Sequence, residues 1–264
     1  MSATITRRWV CVAAGRLLAG AALSAITFAH AVAPDPVYAV AEANQLNSLR
    51  SCSLDSKTGK KLKPQFQKGT RFAFYDVYGS LKAHASLTGT MEGEGNPIGK
   101  FAPAFDSRTP LLAVSNADHL VVRKPQNVSS QPFRSAVADF LRQGGVTVAM
   151  PHITHAYAID LNNDGVDEYV VTADSKNSAG QADEMKNFYN VALVILKSAG
   201  SEKMQVLPLH SKIYAQGGET NVEYADVLGF PVIDGKTLIA TNMQYYEGGE
   251  LLLQSYTGKR VTNY

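Results

Sequence analysis

The sequence predicts an α+β fold, predominantly antiparallel β, with two helices confined to the N-terminal half. Three observations lead there. Roughly ten short apolar runs are separated by turn residues rather than by helix-length connections, which favours antiparallel pairing. Only two stretches carry helical signals, and both precede residue 145. Near the C-terminus, Asp234-Gly235 stands between apolar residues in the run Val232 to Thr237, the strongest short-range hairpin signal.

In chain order, Asp35 followed by Pro36 reads as an N-cap and a first-turn proline. Val37, Val40, Ala41 and Leu49 can share one face, so a helix is expected to about Leu49. Arg71 to Tyr78 and Leu81 to Leu87 read as strands joined at Gly79-Ser80. Thr88 to Lys100, with Gly89, Gly93, Gly95, Pro97 and Gly99, reads as a loop. Leu111 to Val114 and Leu120 to Val122 are further strands. From Ser130 to Gly145 the period changes: Phe133, Val137, Phe140 and Leu141 fall on one helical face, with Pro132 in the first turn and Gly144-Gly145 as the stop. Strands are then expected at Val146 to Met150, Ala156 to Ile159, Tyr169 to Ala173, Val191 to Leu196, Met204 to Leu207, Val222 to Leu228 and Leu251 to Tyr256.

The N-terminus reads as an export signal. Arg7, Arg8 and Arg16 precede the apolar stretch Leu17 to Ala29, which is too short to cross a bilayer as a helix, and cleavage is expected after Ala31. A periplasmic or secreted location follows, with residues 32–264 as one exported β-rich domain and a possible subdivision near 145. The pair Arg7-Arg8 leaves the twin-arginine route open. The formal charge of +2 includes those three arginines, so the processed chain carries −1, which argues against nucleic-acid binding; no stable membrane anchor is expected. The basic residues between Lys57 and Arg71 read as a solvated loop. Cys52 is the one cysteine left after processing and has no intramolecular partner.

The run Asp160-Leu161-Asn162-Asn163-Asp164-Gly165-Val166-Asp167-Glu168 places oxygen-bearing side chains at loop positions 1, 3, 5 and 9, with glycine at 6. Asp160, Asn162 and Asp164 can converge on one point, and Gly165 allows the bend. The Val166 carbonyl and Glu168 extend the shell toward the hard oxygens that Ca2+ requires, while Asp167 faces away. An EF-hand is excluded, because its twelfth position is Val171 and its flanks are strand-like. With its flanking strands, Ala156 to Ala173 resembles the FG-GAP and VCBS-type repeats, whose loops bind calcium between propeller strands. That resemblance implies Asp160, Asn162, Asp164, Val166 through its carbonyl, and Glu168 as ligands of a structural Ca2+, with Glu168 replacing the commoner Asp; the alternative is an Asx-rich hairpin turn of the same residues that binds nothing. One copy is present, with Glu223 to Asp234 at best a degenerate second. Partial β-propeller-like all-β architecture is therefore the alternative fold.

His152 and His155 lie near Asp160, but residues i and i+3 of a regular strand face opposite sides. No nucleophile elbow, zinc helix, phosphate loop or Cys-x-x-Cys pair is present. Tyr245 to Glu250 reads as an exposed hairpin end, and the Asn127-Val128-Ser129 sequon is uninformative. The expected function is an exported, non-enzymatic binding or structural protein of the bacterial envelope with one structural calcium loop, its partner an unknown protein or envelope component. The alternative is a hydrolase acting on envelope polymers, which requires a cleft with His152 or His155 in hydrogen-bond reach of a carboxylate away from that loop.

Overall fold

The computed structural model describes residues 38–42, 48–51, 53–54, 61–62, 68–92, 97–103, 109–115, 120–175, 187–197, 203–214, 223–245 and 248–264. In chain order the strands are β1 (Tyr38–Glu42), β2 (Ser48–Ser51), β3 (Ser53–Leu54), β4 (Lys61–Leu62), β5 (Arg71–Tyr75), β6 (Leu81–Glu92), β7 (Pro97–Ala102), β8 (Leu111–Ser115), β9 (Val121–Arg123) and β10 (Gln126–Asn127). Helix α1 (Arg134–Gln143) follows a single 3-10 turn at Gln131–Phe133. Then come β11 (His152–Ile159), β12 (Glu168–Asp174), β13 (Phe188–Lys197), β14 (Met204–Tyr214), β15 (Tyr224–Ile233), β16 (Lys236–Tyr245), β17 (Gly248–Tyr256) and β18 (Val261–Asn263).

All recorded pairings are antiparallel. Strands β1-β2-β7-β6-β5-β8 close into a barrel, β10-β11-β12-β13-β14 form a second sheet, and β18-β17-β16-β15-β9 form a third; β3 and β4 pair separately. Alternating side chains stack these bodies into layers. In β13, Tyr189, Val191, Leu193 and Ile195 pack under α1, whereas Ala192 and Val194 face the third sheet. That sheet in turn offers Ile239 and Met243 to the second sheet and Leu238 and Ala240 to the outside of the barrel, where Tyr38, Val40, Leu112 and Val114 meet them. The barrel interior is filled by Phe72, Phe74, Leu87, Phe101 and Leu111 beside Ala39, Ala41, Ala85 and Ala113. Fully burying a large apolar side chain contributes about 1.5–3 kcal/mol, so these layers carry most of the favourable burial.

The first expected helix is a strand. Residues 38–42 alternate, with Ala39 and Ala41 inside the barrel and Tyr38 and Val40 against the third sheet. Two-faced burial makes every position apolar and hides the period of two behind small residues. One α-helix is therefore present among the described residues, and the two-helix α+β expectation gives way to antiparallel sheet. The expected loop from Thr88 to Lys100 is likewise corrected, since β6 runs on to Glu92 and β7 begins at Pro97. Its glycines do not end the strands: Gly89 sits beside a register shift and Gly99 pairs with both Thr90 and Leu49.

Val146 to Met150 is not a strand either. It follows the C-terminus of α1, where Gly145 has φ 88° and its N–H donates to Arg142 O at 3.0 Å, while the Val146 N–H donates to Leu141 O at 3.0 Å. This is a Schellman cap, whose hydrophobic contact is made by buried Val146 and Leu141. The Asp-Gly hairpin forms as expected: Ile233 pairs with Lys236, and Asp234 and Gly235 have φ 50° and 74°, the positive pair of a type I′ turn.

Residues Pro34–Tyr264 form one compact unit. The proposed signal segment, Asp35-Pro36, Cys52 and much of the basic run from Lys57 lie outside the described residues, as do Tyr246 and Glu247. No helix among the described residues is long and apolar enough to cross a membrane. The barrel interior gives a direct test of the β1 assignment. Ala39→Leu adds volume to a filled barrel and is expected to lower unfolding free energy by about 1–3 kcal/mol in urea denaturation. A variant as stable as the parent would contradict the inward placement of Ala39.

Candidate functional site

The acidic loop joins β11 to β12 and is closed by its own backbone. Asp160 Oδ1 accepts the Asp164 N–H at 3.1 Å and Oδ2 accepts the Gly165 N–H at 3.0 Å. Asn162 Oδ1 accepts the Asp164 N–H at 3.1 Å, and Asp164 Oδ1 accepts the Val166 N–H at 2.8 Å. Gly165 and Asn163 take positive φ, 85° and 63°, which glycine and asparagine tolerate. The structure thus brings together three of the expected ligands, Asp160, Asn162 and Asp164. Glu168 is placed differently: it is buried, and its Oε2 accepts the Leu161 N–H at 2.8 Å. Burial pushes the Glu168 carboxyl up, the Leu161 N–H opposes this, and the charges of Asp164 and Asp160 add to the rise. Val166 is 62 % exposed. Among the described residues no three His, Cys, Asp or Glu side chains gather as a metal-holding group, so a cation here would rely on Asp160 and Asp164 together with amide and carbonyl oxygens.

This loop is fastened to the third sheet. Arg123 of β9 donates from Nη1 to Asp160 O at 3.1 Å and from Nη2 to Asn163 Oδ1. Asn163 Nδ2 in turn donates to Gly235 O, in the β15–β16 turn, at 3.2 Å. Leu161 is buried in the core between the two sheets. Neither Arg123 nor Asn163 stands out in sequence as a fastener, because their partners are 37 and 72 residues away.

A cleft of about 630 Å³ opens where the barrel meets the other two sheets. Its walls come from the β5–β6 turn (Asp76, Val77, Tyr78), Lys82 of β6, the start of β8 with the two residues before it, His155 and Tyr157 of β11, and Asp226 to Leu228 of β15. Asp76 is fully engaged: Oδ1 accepts the Tyr78 and Ser80 N–H groups at 3.0 and 2.9 Å, and Oδ2 lies 2.7 Å from Lys82 Nζ. Gly79 in this turn has φ 70°, and a Cβ there would sit 2.8 Å from Val122 O, so the turn bearing Tyr78 is pressed against β9. Tyr78 meets Tyr157 edge-on at 6.1 Å, and the His155 ring stacks on Tyr157 at 5.7 Å. Burial raises the Tyr157 hydroxyl far above the ordinary tyrosine range, with Tyr78 and Asp226 adding to the rise. Asp226 is reachable by solvent, yet the surrounding walls strip its hydration and raise its carboxyl; His155 opposes that shift and Asp174 reinforces it.

Beside the cleft, His152 Nδ1 lies 2.7 Å from Asp174 Oδ1. A carboxylate only accepts, so Nδ1 donates in this contact. The His152 N–H donates to the Tyr189 hydroxyl at 2.9 Å. A register shift between Ile153 and His155 makes Thr154 the extra residue of a bulge. His152 pairs across to Asp174 and His155 to Thr172, two residues apart on β12, so the histidines share a face despite their i, i+3 spacing. They do not form a joint ligand pair: one is held by Asp174 and the other stacks on Tyr157.

Gly79→Ala combines a left-handed backbone with a backbone clash and is expected to cost about 1–3 kcal/mol. Gly69→Ala, at φ 90° with open space around it, should cost only about 1 kcal/mol. Parallel denaturation curves compare the two; equal losses would show that the turn is not pinned against β9. No protein-family model, curated protein or solved structure matches the chain.

Proposed function

We propose that the chain is an exported, non-enzymatic binding protein of the bacterial envelope, in which a calcium ion on the acidic loop is structural and the three-sheet cleft receives a ligand. The observation that carries this reading is the division of labour between the two places. The loop directs Asp160, Asn162 and Asp164 inward on its own turn and is tied to the third sheet through Arg123 and Asn163, so an ion there would stiffen the frame. The cleft presents aromatic and apolar walls, and one of its carboxylates, Asp76, is held by Lys82 and two backbone N–H groups. A volume of about 630 Å³ falls within the range that takes small ligands. The signal-like N-terminus supports export.

One observation favours a second reading, a hydrolase of envelope polymers. The 2.7 Å contact between His152 and Asp174 orients an imidazole as a general base, beside a cleft and away from the acidic loop.

Thermal unfolding in excess EDTA and in millimolar calcium tests the ion. A ligand held only by the native state at 100 times its dissociation constant adds about 2.7 kcal/mol. The midpoint should rise with calcium for the parent chain and stay fixed for Asp164→Ala; a parent midpoint indifferent to calcium rejects the structural ion. Purified peptidoglycan and teichoic acid, assayed for released soluble fragments, separate the two functional readings. No release is expected, whereas turnover lost in His152→Ala would establish the hydrolase instead.

A further inference from the structure

The charges that line the cleft are unequally matched. Lys82 and Asp76 neutralise one another at 2.7 Å, and His155 lies against Tyr157 and 3.4 Å from the Thr172 hydroxyl. Asp226 differs, because among the described residues its carboxylate has no recorded hydrogen bond or ion pair. Among the described strands β9 pairs with β15 only at Phe230, Pro231 and Val232, so Asp226 to Leu228 lie on the open part of that strand. Directly across β15–β16 from Asp226 stands Asn242, 2 % exposed, with its Nδ2 lacking a partner. The cleft that holds this carboxylate mixes aromatic and apolar residues, Tyr78, Tyr157, Leu111 and Val227 among them, with His155, whose charge acts on Asp226.

An unpaired carboxylate in a cleft with aromatic and apolar walls is complemented by a cationic donor on an apolar body, and phenol rings add attraction for that cation. An anionic ligand would face Asp226 with Lys82 already engaged. We propose that the cleft binds a small organic ammonium compound, its nitrogen at Asp226 and its apolar portion along Tyr78, Leu111 and Val227. This inference rests on the binding reading given above and names the ligand class for the same cleft.

Three probes of nearly equal shape separate the possibilities: benzylamine, benzyl alcohol and benzoate, titrated against the 15N-labelled chain by two-dimensional NMR at neutral pH. Benzylamine is expected to move the amide signals of Val77, Tyr78, Val227 and Leu228, with a dissociation constant about tenfold below that of benzyl alcohol. Asp226→Asn is expected to erase that margin while leaving the alcohol's affinity and the overall spectrum unchanged. Equal affinities for the amine and the alcohol, a preference for benzoate, or a margin that survives Asp226→Asn would overturn the ammonium assignment but leave a ligand cleft. If none of the three moves the cleft signals, the binding reading falls with it.

Discussion

Because the third sheet is enclosed on both faces, by the second sheet and by the barrel wall, the middle of its central strands is buried on both sides. Phe230, Ile239 and Met243 serve one interface and Leu228, Leu238, Ala240, Leu251 and Leu253 the other. Polar residues in such a layer can find partners only inside the protein, and among the described residues Thr237, Thr241, Asn242 Nδ2 and Gln254 Oε1 are left without one. Two contacts tie this layer to one of its neighbours: Asn190 Oδ1 accepts the Ala225 N–H at 2.9 Å, and Gln254 Nε2 donates to Leu209 O at 3.2 Å. Both join the second sheet to the third, and they fix the sliding position that apolar packing alone leaves undefined, since dispersion contacts are non-directional.

The same enclosure decides what could be read from the chain beforehand. In β13 nearly every residue from Phe188 to Ile195 is buried, and the run is legible as a strand because its length and β-branched content exclude a helix. In β1 the identical situation is illegible: Ala39 and Ala41 are small because the barrel interior is already filled by Phe72, Phe74 and Phe101, and alanine suits a helix as well as a strand. The Asp35-Pro36 pair then tips a local reading toward helix. Helix α1 has the reverse property, since one face is open to solvent and the spacing of Phe133, Val137 and Leu141 survives in the sequence. Val146 belongs to that helix as its cap contact, although its neighbours suggest a strand.

Site residues divide along a similar line. Asp160, Asn162 and Asp164 are close in sequence and held by contacts of a few residues' span, so their convergence was legible from spacing. Spacing and the repeat resemblance both point to Glu168 as a ligand, whereas its position in β12 turns it toward the buried Leu161 N–H. The cleft was illegible because four separate segments build it and only the sheet topology brings them together. His152 and His155 show how little a local rule can say: one extra residue, Thr154, reverses the expectation that they face opposite sides.

Strand β9 ties the two places together. Arg123 holds the acidic loop at Asp160 and Asn163, and its neighbour Val122 presents the carbonyl against which Gly79 of the Tyr78 turn is pressed. Arg123, Val122 and Val121 pair with Phe230, Pro231 and Val232, a few positions beyond Asp226. The acidic loop and the turn that bears Tyr78 therefore share one short strand, and a rearrangement that moved Arg123 would move the backbone against which that turn is pressed. A cation that tightened the loop would act on the cleft through this strut by fixing the seat of the turn, without adding a ligand contact of its own. Preorganised walls lower the ordering cost of binding, so the consequence of such an ion would be read in cleft affinity as well as in the unfolding midpoint.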